Sequence, residues 1–306
     1  IVSNATTTSP DVLALSAGLE ASASTRLRNA TPLYPLPNAD TRASQSIALT
    51  KLDIDDTVGD DEMRFILARS HFQGDDQTLP VYQYIFLTGA TLQQLGGDLQ
   101  PLLSFFEQPI TPYKATHLLL DPLELPAPAT WTLDKQVAVL KTLLDDIMKG
   151  DMSLLLSILG AVLDDRGLVI RHFPADAAMR TSLVRGLRML LPAIARPQLT
   201  FTLHTNHHTS LPRLTFTSNN DDIQGIRCFD WQQPTSNEKL LQASYPAHLL
   251  ALWEDDMIKL VRHLHDLDLL AGPLMTGKTL SNGLQALVER HQHDLAAVLV
   301  HRQWAA

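Results

Sequence analysis

A single cysteine, Cys228, stands in a chain of 306 residues. No disulfide can form within the chain, and such sparing use of cysteine suits a reducing compartment. No apolar run approaches the roughly 20 residues that span a bilayer; the longest, 154–163, is closed by Asp164-Asp165. No secretory leader is visible at the start, so the expected location is the cytoplasm. Lys and Arg are never clustered, and the formal net charge is -9, which argues against direct nucleic-acid binding and against anionic membranes. Internal repeats at solenoid periods and sustained heptads are both missing.

Several catalytic signatures are missing too. There is no G-x-S-x-G, so a hydrolase nucleophile elbow has no support. There is no H-E-x-x-H, although the chain holds 12 histidines. His263 and His265, and likewise His291 and His293, are two residues apart on predicted helices, where such neighbours point away from each other. His207 and His208 follow a predicted strand that also carries His204, and adjacent strand residues face opposite sides. Chelation would therefore need histidines brought together from distant segments. The acidic run Asp53-x-Asp55-Asp56 fails as a calcium loop, because its twelfth position is Arg64 where a glutamate is required. Asp145-Asp146 and Glu254-Asp255-Asp256 read as polar helix faces.

What the chain does have is 45% hydrophobic residues, enough for a substantial core. Residues 1–46 are rich in Ser, Thr and Pro and read as a partly ordered segment, with short strands at Val12–Leu15 and Leu33-Tyr34. Met63–Arg69 and Val81–Leu87 mix aromatic and β-branched residues over strand lengths, and Gly74-Asp75-Asp76 between them predicts a hairpin. Helical spacing dominates 133–191, broken by Gly150, by a strand at Gly167–Ile170 and by Pro192. The alternating runs Leu199–Thr205 and Leu214–Thr217 predict strands with one buried face, and Ile223–Asp230 a third strand. A long helix over 246–270 and a last one over 284–302 follow. The expected fold is α+β: antiparallel or mixed sheets packed against helices, with a helical C-terminal part. The expected divisions are 1–46, an α+β domain over 47–233, and a helical region over 234–306.

Two motifs carry chemistry. Gly272-Pro273-Leu274-Met275-Thr276-Gly277-Lys278-Thr279 matches the phosphate-loop pattern completely. Gly272, Gly277, Lys278 and Thr279 are therefore the candidate nucleotide-binding residues. The context is wrong, because a phosphate loop follows a strand and this segment follows a predicted helix. Pro273 also removes one backbone N–H. The structural alternative is a helix–helix loop with Thr279 or Ser281 as a cap. Cys228 could serve as a nucleophile only beside a histidine; Ile226-Arg227-Cys228-Phe229 reads instead as a strand with a buried cysteine. No metal ligands and no cofactor are expected from local motifs. The helical stripe Leu249, Leu250, Trp253, Met257, Leu260 and Leu264 is core or a partner surface.

The run Val81–Leu87, followed by Leu92–Leu95 and Gly96-Gly97-Asp98, and then Leu187-x-x-Leu190-Leu191-Pro192 before Arg196 and Leu199-Thr200-Phe201-Thr202, resembles the N-terminal region of bacterial GTPase-associated proteins from conflict and defence gene clusters. The resemblance covers roughly residues 47–218. It implies an adaptor or recognition region rather than a catalyst, and a protein partner. It transfers no catalytic residue. The expected function is a non-enzymatic protein-interaction or regulatory module. The alternatives are a nucleotide-binding protein using Gly272–Thr279 and a hydrolase or metalloenzyme built from dispersed histidines and carboxylates.

Overall fold

A computed structural model describes residues 2–5, 10–16, 31, 33–35, 45–52, 64–72, 80–107, 118–120, 131–205, 211–218, 225–233, 244–275 and 279–304. The chain forms two compact units. Ile1–Ala129, Leu168–Thr181 and Thr200–Gln233 make the first; Thr130–Gly167, Ser182–Leu199 and Pro234–Ala306 make the second. The division expected at 233/234 coincides with a junction between units. The one expected at 46/47 falls inside a strand, and residues 47–233 contribute to both units.

The first unit is built on one mixed sheet. Its strands are β1 (Val2–Ala5), β2 (Pro10–Ser16), β3 (Ser46–Leu52), β4 (Arg64–Phe72), β5 (Pro80–Thr88), β6 (Leu118–Leu120), β7 (Leu168–Arg171), β8 (Phe201–Thr202), β9 (Leu214–Thr217) and β10 (Arg227–Asp230). Their order is β10-β7-β9-β8-β3-β4-β5-β1-β2-β6. β10, β7, β9 and β8 run parallel; β8 pairs antiparallel with β3, and the antiparallel run continues through β4, β5, β1 and β2. β6 closes the far edge, parallel to β2. The β4–β5 hairpin is the one expected from sequence, with Leu67 opposite Ile85.

Register sorts the side chains into two unlike faces. Leu49, Leu67, Phe65, Leu87, Phe201, Leu214, Phe216 and Ile170 share one face, and all are buried. Ser46, Ser70, Ala48, Ala68, Thr202, Thr215 and Val169 share the other and are buried as well. The expectation of a single buried face for β8 and β9 is therefore corrected, since small hydroxyl-bearing residues are covered as completely as the apolar ones. The β8 and β9 hydroxyls turn to local carbonyls: Thr202 Oγ1 donates to His204 O (3.2 Å) and Thr215 Oγ1 to Pro212 O (3.2 Å). The unit also holds α1 (Gly89–Gln94), capped by Thr88 Oγ1 accepting from Thr91 N at 3.1 Å, and α2 (Gln100–Glu107).

The described residues of the second unit are helical, with no strand among them. α3 (Leu133–Lys141) begins at Thr132, whose Oγ1 accepts from Lys135 N, and runs into a π-helical turn over Thr142–Ile147. Gly150, at φ +82°, ends it in the left-handed region that glycine adopts at no steric cost. α4 (Met152–Leu163) starts from an Asp151 cap and is buried from Leu155 to Leu163, as its continuous apolar run demands. α5 (Ala177–Met189) contributes to this unit from Ser182 onward. The long helix expected over 246–270 is two helices, α6 (Ser244–Asp255) and α7 (Met257–Met275). The break is at Asp256, whose carboxylate accepts from Ile258 N (2.8 Å) and so starts a new helix where the pattern alone predicts continuation. α8 (Leu280–Trp304) ends the unit. No described helix is long and apolar enough to cross a membrane.

Two polar contacts tie α6 and α7 to the segment that follows α5. Tyr245 Oη donates to Leu190 O at 2.8 Å, and Ala193 N donates to the Asp268 carboxylate. Gly186 marks a close approach. A Cβ there would lie 2.8 Å from Leu143 Cβ and 2.7–2.9 Å from its two methyls. Leu143 is fully buried and its Cβ cannot swing aside. Gly186→Ala should therefore destabilise the chain by about 1–2 kcal/mol, the overpacking cost less alanine's helical advantage. Urea unfolding measures this; a raised midpoint would mean that Leu143 yields.

Candidate functional site

The glycine-lysine-threonine segment is divided between two helices. Gly272, with Pro273, lies inside α7, so a helix leads into the motif where a phosphate loop requires a strand. Gly277 and Lys278 lie outside the described residues. Thr279 caps α8: its Oγ1 accepts from Asn282 N (3.4 Å) and its carbonyl from Gly283 N (2.9 Å). The acidic run 53–62 and His207 and His208 also lie outside the described residues, as do the side chains of Glu254, Asp255, His293 and His301.

In the first unit, the ends of parallel strands β7 and β10 bring four polar side chains together. Register places Arg171 opposite Asp230 and Cys228 opposite Val169. Arg171 Nη2 donates to Cys228 Sγ at 3.2 Å. His172 Nδ1 meets Asp230 Oδ1 at 2.9 Å, and the same oxygen accepts from Gln232 N. These bonds hold the Asp230 carboxyl below the usual carboxylate range, the His172 contact foremost. His172 has φ +55°, a left-handed backbone that costs a non-glycine residue about 1–2 kcal/mol. Cys228 is exposed on edge strand β10, which corrects the expectation of a core cysteine. Among the described residues β10 has a neighbour on one side only, so no strand beyond it adds cover to the cysteine. An aromatic group borders the site, with Phe173 4.4 Å from Trp231 and 5.1 Å from Phe216 between ring centres.

Behind these strand ends lies a buried cation. Arg180, near the start of α5, donates from Nη1 to Leu203 O (2.6 Å), from Nη2 to Phe173 O (2.9 Å) and from Nε to Pro174 O (2.9 Å). Its guanidinium lies over the Phe216 ring at 5.4 Å. Burial pushes Arg180 down to about 10, partly offset by Asp176. His204 is buried beside it, and its Nδ1 has no hydrogen-bond partner. Burial, then the Arg180 charge, pushes His204 down to about 4.

In the second unit, three imidazoles from three helices meet. His248 Nε2 on α6 and His263 Nε2 on α7 are 2.8 Å apart. The His263 and His291 rings, the latter on α8, are 4.5 Å apart and edge-on. Burial first, and the neighbouring imidazoles next, push His263 down to about 4 and lower His248. Among the described residues, no three His, Cys, Asp or Glu side chains are arranged to hold a metal ion.

Neither cluster is legible in the sequence. His172 and Asp230 are 58 residues apart, and their meeting depends on β7 and β10 being neighbours, which strand order alone decides. His263 and His291 stand out as candidates, but His248 does not, because nothing local marks the helix pairing that selects it. Comparison with family models, with curated proteins and with solved structures finds no match, so the resemblance to GTPase-associated proteins rests on the residues that carry it.

Proposed function

We propose that the chain is a non-enzymatic protein-interaction or regulatory module acting with a protein partner in a bacterial cytoplasm, within a multi-component system of the defence type that the resemblance implies. The observation that supports this reading is the outer face of α7. Ile258 is 40% and Leu269 76% exposed, and they are the large exposed hydrophobics among the described side chains of that helix. Eleven residues apart, they fall on one helical face about 16 Å from each other. Arg262, His265 and Asp266 lie exposed between them. Two apolar anchors three turns apart around polar residues suit a partner helix laid along α7.

Leu269→Asp and Ile258→Asp leave the core untouched, so each variant should keep the thermal midpoint of the parent while losing the partner recovered with the tagged chain from its native cells. If the same protein returns with both variants, the α7 face is not the docking surface. If nothing returns specifically with the parent, the reading itself fails.

A second reading, a thiol- or imidazole-dependent hydrolase, has its support in Arg171, His172 and Asp230 at the carboxyl ends of parallel strands, the end of an open α/β sheet where ligands bind, with Cys228 two residues before Asp230 and bonded to Arg171. It predicts that iodoacetamide labels Cys228 faster than free cysteine at pH 7, and that Asp230→Asn slows the labelling at least about threefold. Equal rates would dismiss it. Nucleotide binding through Gly272–Thr279 has the weakest support, because a helix leads into the segment.

A further inference from the structure

We propose that His248, His263 and His291 make the α6–α7–α8 assembly a proton-sensitive switch, closed when the imidazoles are neutral and released in mild acid. This goes beyond the interaction reading and does not depend on it. The argument is geometric. An N–H···N bond at 2.8 Å uses one proton and one lone pair, so His248 and His263 can share a proton across Nε2. One added proton makes an imidazolium that can still donate to its neutral partner; once both rings are protonated, two donors and two like charges face each other. The His291 ring, edge-on to His263, adds a third imidazole on the third helix.

Among the described residues, nothing acting on His248 or His263 compensates an added charge. The groups acting on His263 are His248 and His291, and the group acting on His248 is His291. No carboxylate among the described residues acts on either. The other titratable groups with described side chains on the packed elements, Lys259, Arg262, His265, Asp266 and Asp268 on α7, Glu289 and Arg290 on α8, and Asp134, Lys135 and Lys141 on α3, are not among them. α4, which packs on α6, has no ionisable residue at all. Tyr245 on α6 keeps its proton through burial and donates it to Leu190. Among the described residues, His248 and His263 thus have other imidazoles as their electrostatic partners. Protonation favours any state in which the helices part and water reaches the rings.

The test is amide exchange of the full chain at pH 7.5 and 5.0, corrected for the intrinsic pH dependence and read in α6, α7 and α8. Protection should fall about tenfold per pH unit below 6.5 for each buried imidazole that opening exposes. His248→Gln with His263→Gln keeps a neutral hydrogen-bonding pair and should abolish most of that fall. An unchanged fall in the double variant, or a parent whose three helices ignore pH, overturns the proposal. Should the double variant not fold, nitrogen chemical shifts of the histidines in the parent decide. Neutral rings for His248 and His263 in the folded chain at pH 5.5 support it, and ordinary protonation of both near 6.5 overturns it. Zinc added in stoichiometric amount, if it bound and protected the three helices at pH 7.5, would make the cluster a cation site and overturn the switch.

Discussion

Arg180→Met should destabilise the chain by about 3–5 kcal/mol, the cost of three buried carbonyls left without donors less the relief of a charge no longer buried. Methionine fills much of the volume but donates nothing. The carbonyls of Phe173, Pro174 and Leu203 lose the donors that hold the segment after β7 and the end of β8 to the first turns of α5. Each orphaned carbonyl costs about 1–3 kcal/mol unless water reaches it, and a side chain only 3% exposed leaves little room for water. Arg180→Lys should recover only part of the loss, since one ammonium cannot reach three carbonyls along the fork of a guanidinium. Denaturant unfolding of both variants reads the difference. A loss under about 1 kcal/mol for Arg180→Met would mean that the three carbonyls find other donors.

Acid should weaken the fold over a defined window. His71, His204 and His263 are each pushed down to about 4, in each case by burial first. The second causes are Arg69 for His71, Arg180 for His204, and the imidazoles for His263. In the unfolded chain an imidazole takes its proton at about 6.5. Above that pH, both states are neutral and the full stability is present. Between 6.5 and about 4, the unfolded chain binds more protons, so stability falls as pH falls. Each imidazole contributes about 1.4 kcal/mol per pH unit at most, and three give a ceiling of about 4. The observed slope should be lower, because His71 is only half-buried. Asp268 opposes the trend: burial raises its pKa, so its folded form gains a proton earlier than the unfolded one. The thermal midpoint should therefore drop between pH 7 and 5, and His204→Gln should make the drop shallower. A midpoint level across that range would refute the assignment of these histidines as neutral.

The fold was legible where a local pattern settles the outcome. Val81–Leu87 alternates aromatic and aliphatic residues over a strand length and is the heart of β5, with its hairpin partner β4 as expected. The mixed sheet, the packed helices and the helical C-terminal part follow from such patterns. Legibility ended where tertiary partners decide. Leu199–Thr205 alternates like a seven-residue strand; regular pairing with both β3 and β9 is confined to Phe201 and Thr202, while Thr200, Leu203 and Thr205 keep single backbone bonds to the same neighbours. Cys228 reads as core because its neighbours are apolar, and its exposure follows from β10 being an edge. Asp256 breaks a helix through its side chain while the apolar period around it continues. The two polar clusters join residues whose only relation is spatial, so residue spacing carries no trace of them.

The interleaving of the two units has a consequence for synthesis. The first 129 residues include β3, whose outer edge is later covered by β8, Phe201–Thr202. A ribosome must add about 150 residues between the two, and for that interval β3 offers unpaired amides and carbonyls to any other strand. The intervening 130–167 belongs to the helical unit, which in turn needs residues beyond 234. Neither unit can therefore be finished from an uninterrupted stretch of nascent chain, and a gene cut at residue 130 would leave β3 without β8, while one cut at 233 would part the helical unit from its last helices.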